Sequence, residues 1–281
     1  MQHASTAEST PVHSKGLVLA RLLTTNIQHA MDSKYWSAAE EPDWSLHLAP
    51  LKDNIQLVLD IGTGTGSWAI TQFAETHPRS TVIGTDIAPI QLLRVPHNVQ
   101  FELDDCNRDW TWSPRSFDYV RICNMAGNVK DWPRLFRTAG QSTRIRGFIE
   151  SSEDSILSGS TILGCPLPRV LQVWNLSIVL AGIRSGRSFH VVECDQQVRS
   201  MVGVGIEVIR TDHSWISYSE RLLHNLLDDL DGVFSFPAQQ LGWNPERVTV
   251  FLRDVRKAIL SHGRWLGFRR TVVVGKVPQP L

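Results

Sequence analysis

Residues 57–70 read Leu-Val-Leu-Asp-Ile-Gly-Thr-Gly-Thr-Gly-Ser-Trp-Ala-Ile, and no other stretch restricts the fold as much. The unalternating apolar run Leu57, Val58, Leu59 and Ile61 suits a parallel strand covered on both faces. Gly62, Gly64 and Gly66 then allow backbone angles, and an approach of ligand, that side chains would block. Trp68, Ala69 and Ile70 continue into a helix whose first amides lack intrahelical partners and can face a ligand. Strand, glycine turn and helix in this order predict an α/β chain with a nucleotide-like cofactor at the turn.

The spacing narrows the cofactor. A dinucleotide fingerprint, Gly-x-Gly-x-x-Gly/Ala, places its third small residue at position 67, whereas here the third glycine is Gly66 and Ser67 follows. Asp60, at the end of the first strand, can hold an amine. The second strand, Thr81–Asp86, ends in an acid about twenty residues past the glycines, where both ribose hydroxyls can be accepted. The third, Val99–Asp105, ends in Asp105, which can accept from an adenine amino group. Taken singly, the turn is as good a tight strand-helix connection as a site, and Asp86 alone reads equally as a helix N-cap. Taken in order, three acids at three strand ends fit S-adenosylmethionine, which has a ribose, an adenine and an amino-acid tail but no pyrophosphate.

At 281 residues and 42% apolar composition the chain can bury one large core with a lid, so a single elaborated domain is expected from residue 16 to 281. Lys plus Arg balances Asp plus Glu at 28 each, which argues against a nucleic-acid or anionic-membrane partner. Cys106, Cys123, Cys165 and Cys194 show neither Cys-x-x-Cys pairing nor a histidine at ligand spacing. Free thiols in a reducing cytoplasm and no metal site are therefore expected. No apolar stretch approaches a membrane span, and the polar residues 1–15 read as a disordered terminus rather than a signal peptide.

Along the chain, strands are expected at 57–61, 81–85, 98–103, 117–122 and 145–150, with helices from about 66 and at 132–140, and that alternation predicts a parallel sheet. Residues 16–31 place Leu19, Leu22, Leu23, Ile27, Ala30 and Met31 near helical spacing, which reads first as a helix packed on the sheet edge and, with Tyr35 and Trp36, also as an N-terminal helical lid over 16–50. Helical caps are expected at about 160–203 and 214–265, around a sixth strand at 206–209 and before a last strand at 271–275.

With these segments placed, the chain resembles a class I S-adenosylmethionine-dependent methyltransferase, and more narrowly the fungal LaeA-like secondary-metabolism group. The resemblance is carried by Leu59–Ile70, Val82–Gln91, Asn98–Asp105, Met125–Pro133 and Leu241–Pro245, in that order. It implies a Rossmann-like, mostly parallel seven-stranded sheet with an antiparallel last strand, helices on both faces and a helical cap. It implies a cofactor set of Asp60, Gly62, Thr63, Gly64, Gly66, Asp86, Ile87, Asp105, Cys106 and Asn124. Asp86 would bind the ribose, Asp105 with the Cys106 amide the adenine, and Asp60 with the glycine loop the amino-acid end. Two departures stand out. Where the family has Lys-Pro-Gly-Gly before the fifth strand, this chain reads Ser142-Thr143-Arg144-Ile145-Arg146-Gly147, and where the family has Arg and an apolar or aromatic residue after the fourth, it has Cys123 and Asn124.

The expected activity is methylation of a small, largely apolar secondary metabolite. The alternative is a chain that keeps the cofactor without methylating, as a cyclase, pericyclase, isomerase or LaeA-like regulator, and a second copy or a regulatory protein is the macromolecular partner considered. His213, after the sixth strand, and Glu150, after the fifth, are the candidate general bases; Glu153 is likewise placed to face the pocket, and either acid reads equally as a cap of the next helix. Tyr35, Trp36, Asn124, Met125, Trp174 and Trp215 are the candidate acceptor contacts, although each aromatic alone is as well explained as core.

Overall fold

The computed structural model describes residues 47–279 apart from Leu93, Leu157 and residues 160–165. The expected disordered terminus, most of the N-terminal lid, Tyr35, Trp36 and Cys165 lie outside the described residues. The chain forms β1 (Leu57–Ile61), α1 (Trp68–Ala74), β2 (Thr81–Asp86), β3 (Val99–Leu103), β4 (Phe117–Cys123), α2 (Trp132–Ser142) and β5 (Thr143–Asp154). After the two-residue β6 (Ser158–Gly159) come α3 (Arg169–Ser185), α4 (Gln196–Gly203), β7 (Glu207–Ser217), α5 (Glu220–Asp228), α6 (Leu230–Leu241), α7 (Pro245–His262) and β8 (Leu266–Lys276).

The strands form one sheet in the order β3-β2-β1-β4-β5-β8, with β7 on the far edge of β8 and β6 pairing β8 beyond the end of β5. Among the seven long strands β8 alone runs opposite in direction to the other six, as the resemblance implies. The order steps outward from β1 in two directions, so the carboxyl ends of β1 and β4 flank a topological switch point, where open α/β sheets bind ligands.

Both faces of the sheet are covered, which is why β1 is apolar except at Asp60. Leu59, Ile61, Val120, Ile122, Ile149 and Val273 pack against Leu135, Phe136 and Ala139 of α2 and Met201 of α4. Val58, Val82, Tyr119 and Val274 pack against Trp68, Ala69 and Phe73 of α1 and against Ala49. Each such large side chain contributes about 1.5–3 kcal/mol by leaving water. A separate cluster of Leu171, Trp174, Leu230, Phe234, Leu252, Val255 and Ile259 holds the helical cap together.

Three strands exceed their expected lengths, and one of them is β5, which runs from Thr143 to Asp154 so that Glu150 lies within it rather than after it. β7 runs to Ser217 and β8 starts at Leu266, because a long antiparallel pairing from Glu207↔Lys276 to Ser217↔Gly267 satisfies their backbone. The expected second cap therefore starts at α5, and residues 214–217 belong to the sheet. The missing Lys-Pro-Gly-Gly turn is replaced by a direct passage from α2 into β5. Thr143 caps the helix in extended conformation with its hydroxyl on the Ala139 carbonyl at 2.7 Å, and Arg146 turns the chain at φ 65°. Gly147 is required there, since a Cβ would stand 2.8 Å from the Asp118 carbonyl oxygen.

Candidate functional site

The glycine loop leaves β1 with Gly62, Gly64 and Gly66 all in the left-handed region, at φ 72°, 60° and 82°. Side chains rarely take these angles, so the glycines are required by shape. The loop is moored to β2: the Gly62 and Thr63 amides donate to the Thr85 carbonyl at 2.8 and 2.9 Å, and the Gly64 amide donates to Asp86 Oδ2 at 3.0 Å. Asp86 accepts the Ala88 amide with its other oxygen at 3.0 Å and is buried, with half-buried Ile87 between them. Gly66 also lets Phe101 of β3 fill the space beneath the loop, where a Cβ would meet the ring at 2.2 Å.

Asp60 lies at the end of β1, wholly enclosed. Its oxygens accept the Thr63 hydroxyl at 2.7 Å and Arg121 Nη1 at 2.9 Å. Asp60, Arg121 and Glu150 occupy facing positions on β1, β4 and β5 and so form a row of alternating charge across the sheet. The Arg121 guanidinium also lies 4.3 Å from the centre of the Trp68 ring at the start of α1. Asp60, expected to serve the amino-acid end of the cofactor, also fixes the base of the glycine loop through Thr63. Arg121 was not among the residues expected from sequence. An arginine mid-strand beside Asp60 was the available signal, but only pairing register shows that the two face one another.

The edge continues through the ends of β3, β4 and β5. Asp105 accepts the backbone and side-chain N–H groups of Asn107 at 3.0 and 2.9 Å, and its side chain is 37% exposed, making it the most open of the three acids. Asn107 links this turn to the next by donating to the Asn128 carbonyl at 3.0 Å, and Cys106 packs against the core. Asn124 ends β4 in the left-handed region at φ 51° and donates its amide to the Ser152 carbonyl at 2.9 Å. Met125, expected among the acceptor contacts, is 1% exposed and belongs to the core.

The β4 loop is held from two sides. From β5, Glu153 accepts the Met125 amide at 3.0 Å and the Ala126 amide at 2.8 Å. From the segment after α3, the Ser188 carbonyl accepts the Gly127 amide at 2.6 Å, Arg187 donates to the Gly127 carbonyl at 3.2 Å, and Phe189 fills the space beside Gly127. Complete burial raises Glu153 from 4.5 to about 8 against the lowering effect of its two amide bonds. An acid harder to ionise in the folded state than in the unfolded one stabilises the fold fully below the unfolded value, and that contribution is lost as pH rises toward the folded value. Wild-type stability should thus fall between about pH 4.5 and pH 8, and urea titrations of Glu153→Gln should show a flatter profile over this range. Parallel profiles would remove Glu153 as their source.

The remaining expectations fare differently. His213 does not follow the sixth strand but sits within β7, exposed, with Nδ1 3.0 Å from the Thr271 hydroxyl, because β7 is longer than its apolar start suggests. Glu150 is buried, and one of its oxygens accepts the Leu48 and Ala49 amides at 2.8 and 2.7 Å, so it ties the segment before β1 to the sheet. Trp174 is 4% exposed and stacks on Phe234 at 5.1 Å inside the cap core. Trp215 covers Gly267 on β8 and donates to Ser217 Oγ at 3.2 Å. Among the described residues no group of three His, Cys, Asp or Glu side chains could hold a metal ion, and no helix is long and apolar enough to cross a membrane.

A chain with this strand order and edge has relatives among known proteins. Residues 27–230 match the family model described as a methyltransferase domain. Methyltransferase pytC of Aspergillus terreus is 30% identical over 250 residues, covering 83% of this chain and 75% of that one. The secondary metabolism regulator LAE1 of Cochliobolus heterostrophus is 34% identical, but over 96 residues, 33% of this chain and 31% of that one. A Bacillus halodurans protein described as a methyltransferase shares the fold, with TM-score 0.51 at 13% identity over 91% of this chain and all of its own. The family match and the pytC similarity each span most of the chain, so the chain belongs to the methyltransferase-domain family.

Proposed function

We propose that this chain transfers a methyl group from S-adenosylmethionine to a small, largely apolar acceptor of secondary metabolism, at the carboxyl ends of β1 to β5. The carrying observation is the mooring of the left-handed glycine loop to Asp86 at the switch point of the sheet. The donor set fits the cofactor: a loop only glycines can form, a carboxylate at the end of β2, and a half-open carboxylate at the end of β3. When bound, the cofactor would supply a sulfonium methyl group as electrophile. Gly62, Gly64 and Gly66 bring backbone to its amino-acid end, Asp86 and Ile87 serve the ribose, and Asp105 with the Cys106 amide serves the adenine. Asn124 closes the end of β4 at the reacting face, and the cap excludes water.

Similarity to pytC along most of the chain, against similarity to LAE1 over one third of it, favours the enzyme over the regulator. Cys106, Cys123 and Cys194 form no disulfide among the described residues, and a reducing, cytoplasmic setting is part of the same reading. Calorimetry with S-adenosylmethionine tests the reading. Wild type should bind, and Asp86→Ala should lose about 1.5–3 kcal/mol of affinity, the range for hydrogen bonds involving a charged group. Equal affinities would remove Asp86 from the site, and no binding by wild type would overturn the proposal.

A further inference from the structure

Glu153 makes no use of its charge in an ion pair, yet it is wholly buried at the end of a central strand and both of its oxygens are committed to backbone amides. Those amides belong to Met125 and Ala126, the two residues after Asn124. The next residue, Gly127, carries the contacts to Arg187, Ser188 and Phe189 that lead into the cap. Four residues thus connect the end of β4, where the reaction is proposed, to the cap segment above it, and one carboxylate fixes their middle.

We propose that Glu153 is a positioning residue whose ionised carboxylate sets the Asn124–Gly127 loop, and through Gly127 the 187–189 segment, in the arrangement that receives the cofactor. This rests on the methyltransferase reading only for what the loop serves; the clamp itself is a property of the chain. The chemistry follows from the donor count. An ionised carboxylate only accepts, so each oxygen takes one N–H with a charge-assisted bond. A protonated carboxyl presents a hydroxyl oxygen, a weaker acceptor, to one of the two amides, and that bond weakens. Loop order therefore increases as Glu153 ionises, opposite in sign to the global stability, which falls over the same range.

Few other charges face Glu153. Asp154 on its own strand opposes ionisation and Arg270 on β8 favours it, while these two pair with each other in a bidentate arrangement at 2.7 and 2.8 Å. Across β8, Thr271 lies opposite Glu153 and His213 opposite Thr271. From α4, Gln197 donates to the Ser151 and Thr271 carbonyls and adds no charge.

Hydrogen exchange followed by mass spectrometry, without cofactor, from pH 6.5 to 9 and corrected for intrinsic rates, tests the clamp. In wild type, peptides covering 124–131 and 187–193 should gain protection as pH rises, while those covering α5 to α7 stay level or lose it. In Glu153→Gln the loop peptides should exchange at least tenfold faster than wild type at pH 9, with no gain across the range. Glu153→Asp, shorter by one methylene, should keep the pH trend with weaker protection. Wild-type loop peptides that show no gain with pH would overturn the proposal even if neither variant folds, and a Glu153→Gln loop as protected as wild type would do the same. Calorimetry separates the two readings: if the clamp behaves as expected but S-adenosylmethionine does not bind wild type, the methyltransferase reading fails and the clamp stands.

Discussion

Arg121→Met should destabilise the protein by about 3–5 kcal/mol in urea titrations, because it leaves a buried carboxylate without its countercharge. The Asp60 side chain is 1% exposed and that of Arg121 15%, so solvent cannot take over the role of the guanidinium. Methionine keeps much of the volume over Trp68 but gives up the cation–π contact, a smaller loss of about 0.5–2 kcal/mol. Pairing the change with Asp60→Asn should recover a substantial part of the loss, since the neutral partner no longer pays for an isolated charge. A single variant within about 1 kcal/mol of wild type would mean that the row across β1, β4 and β5 is no more than a surface-like pair.

Trp174→Ala should cost about 3–5 kcal/mol as well, the range for removing a large aromatic from a core. Its ring is enclosed by the cap cluster and stacked on Phe234, so the loss is one of packing within α3, α6 and α7. Affinity for S-adenosylmethionine should stay within about threefold of wild type, under 1 kcal/mol. A variant of undiminished stability that fails only with an acceptor would return Trp174 to the acceptor wall where the sequence first placed it.

Local signals in the sequence located most of the fold. β1 and the glycine loop were legible because an apolar run, three glycines and a helix start lie next to each other and need no distant partner to be recognised. The ends of β2 and β3 were legible for the same reason, each a short β-rich run closed by an acid. β7 and β8 were underestimated because much of each carries charged and polar residues, such as Arg210, Asp212 and His213 or Arg269 and Arg270, that no alternation marks as strand. Their extent follows from pairing with each other along ten residues of β8, Gly267 to Lys276.

The candidate site divides along the same line. Asp60, Asp86 and Asp105 were found by position, but what each does depends on what faces it across the sheet. Asp60 holds Arg121 and Thr63, Asp86 supports the glycine loop at the strand end proposed for the ribose, and Asp105 has the most exposed carboxylate of the three. His213 was chosen for following a strand that in fact runs past it to Ser217, and Trp174 and Trp215 by residue type, which carries no information about depth in a core. By itself the sequence determined the glycine loop, the strand-end acids and the family, because these are set by neighbours in the chain and by backbone angles only glycine tolerates. The tertiary structure decided the charge row, the Glu153 clamp and the cap contact at Gly127, because each joins residues far apart in sequence whose facing is fixed by strand register and burial.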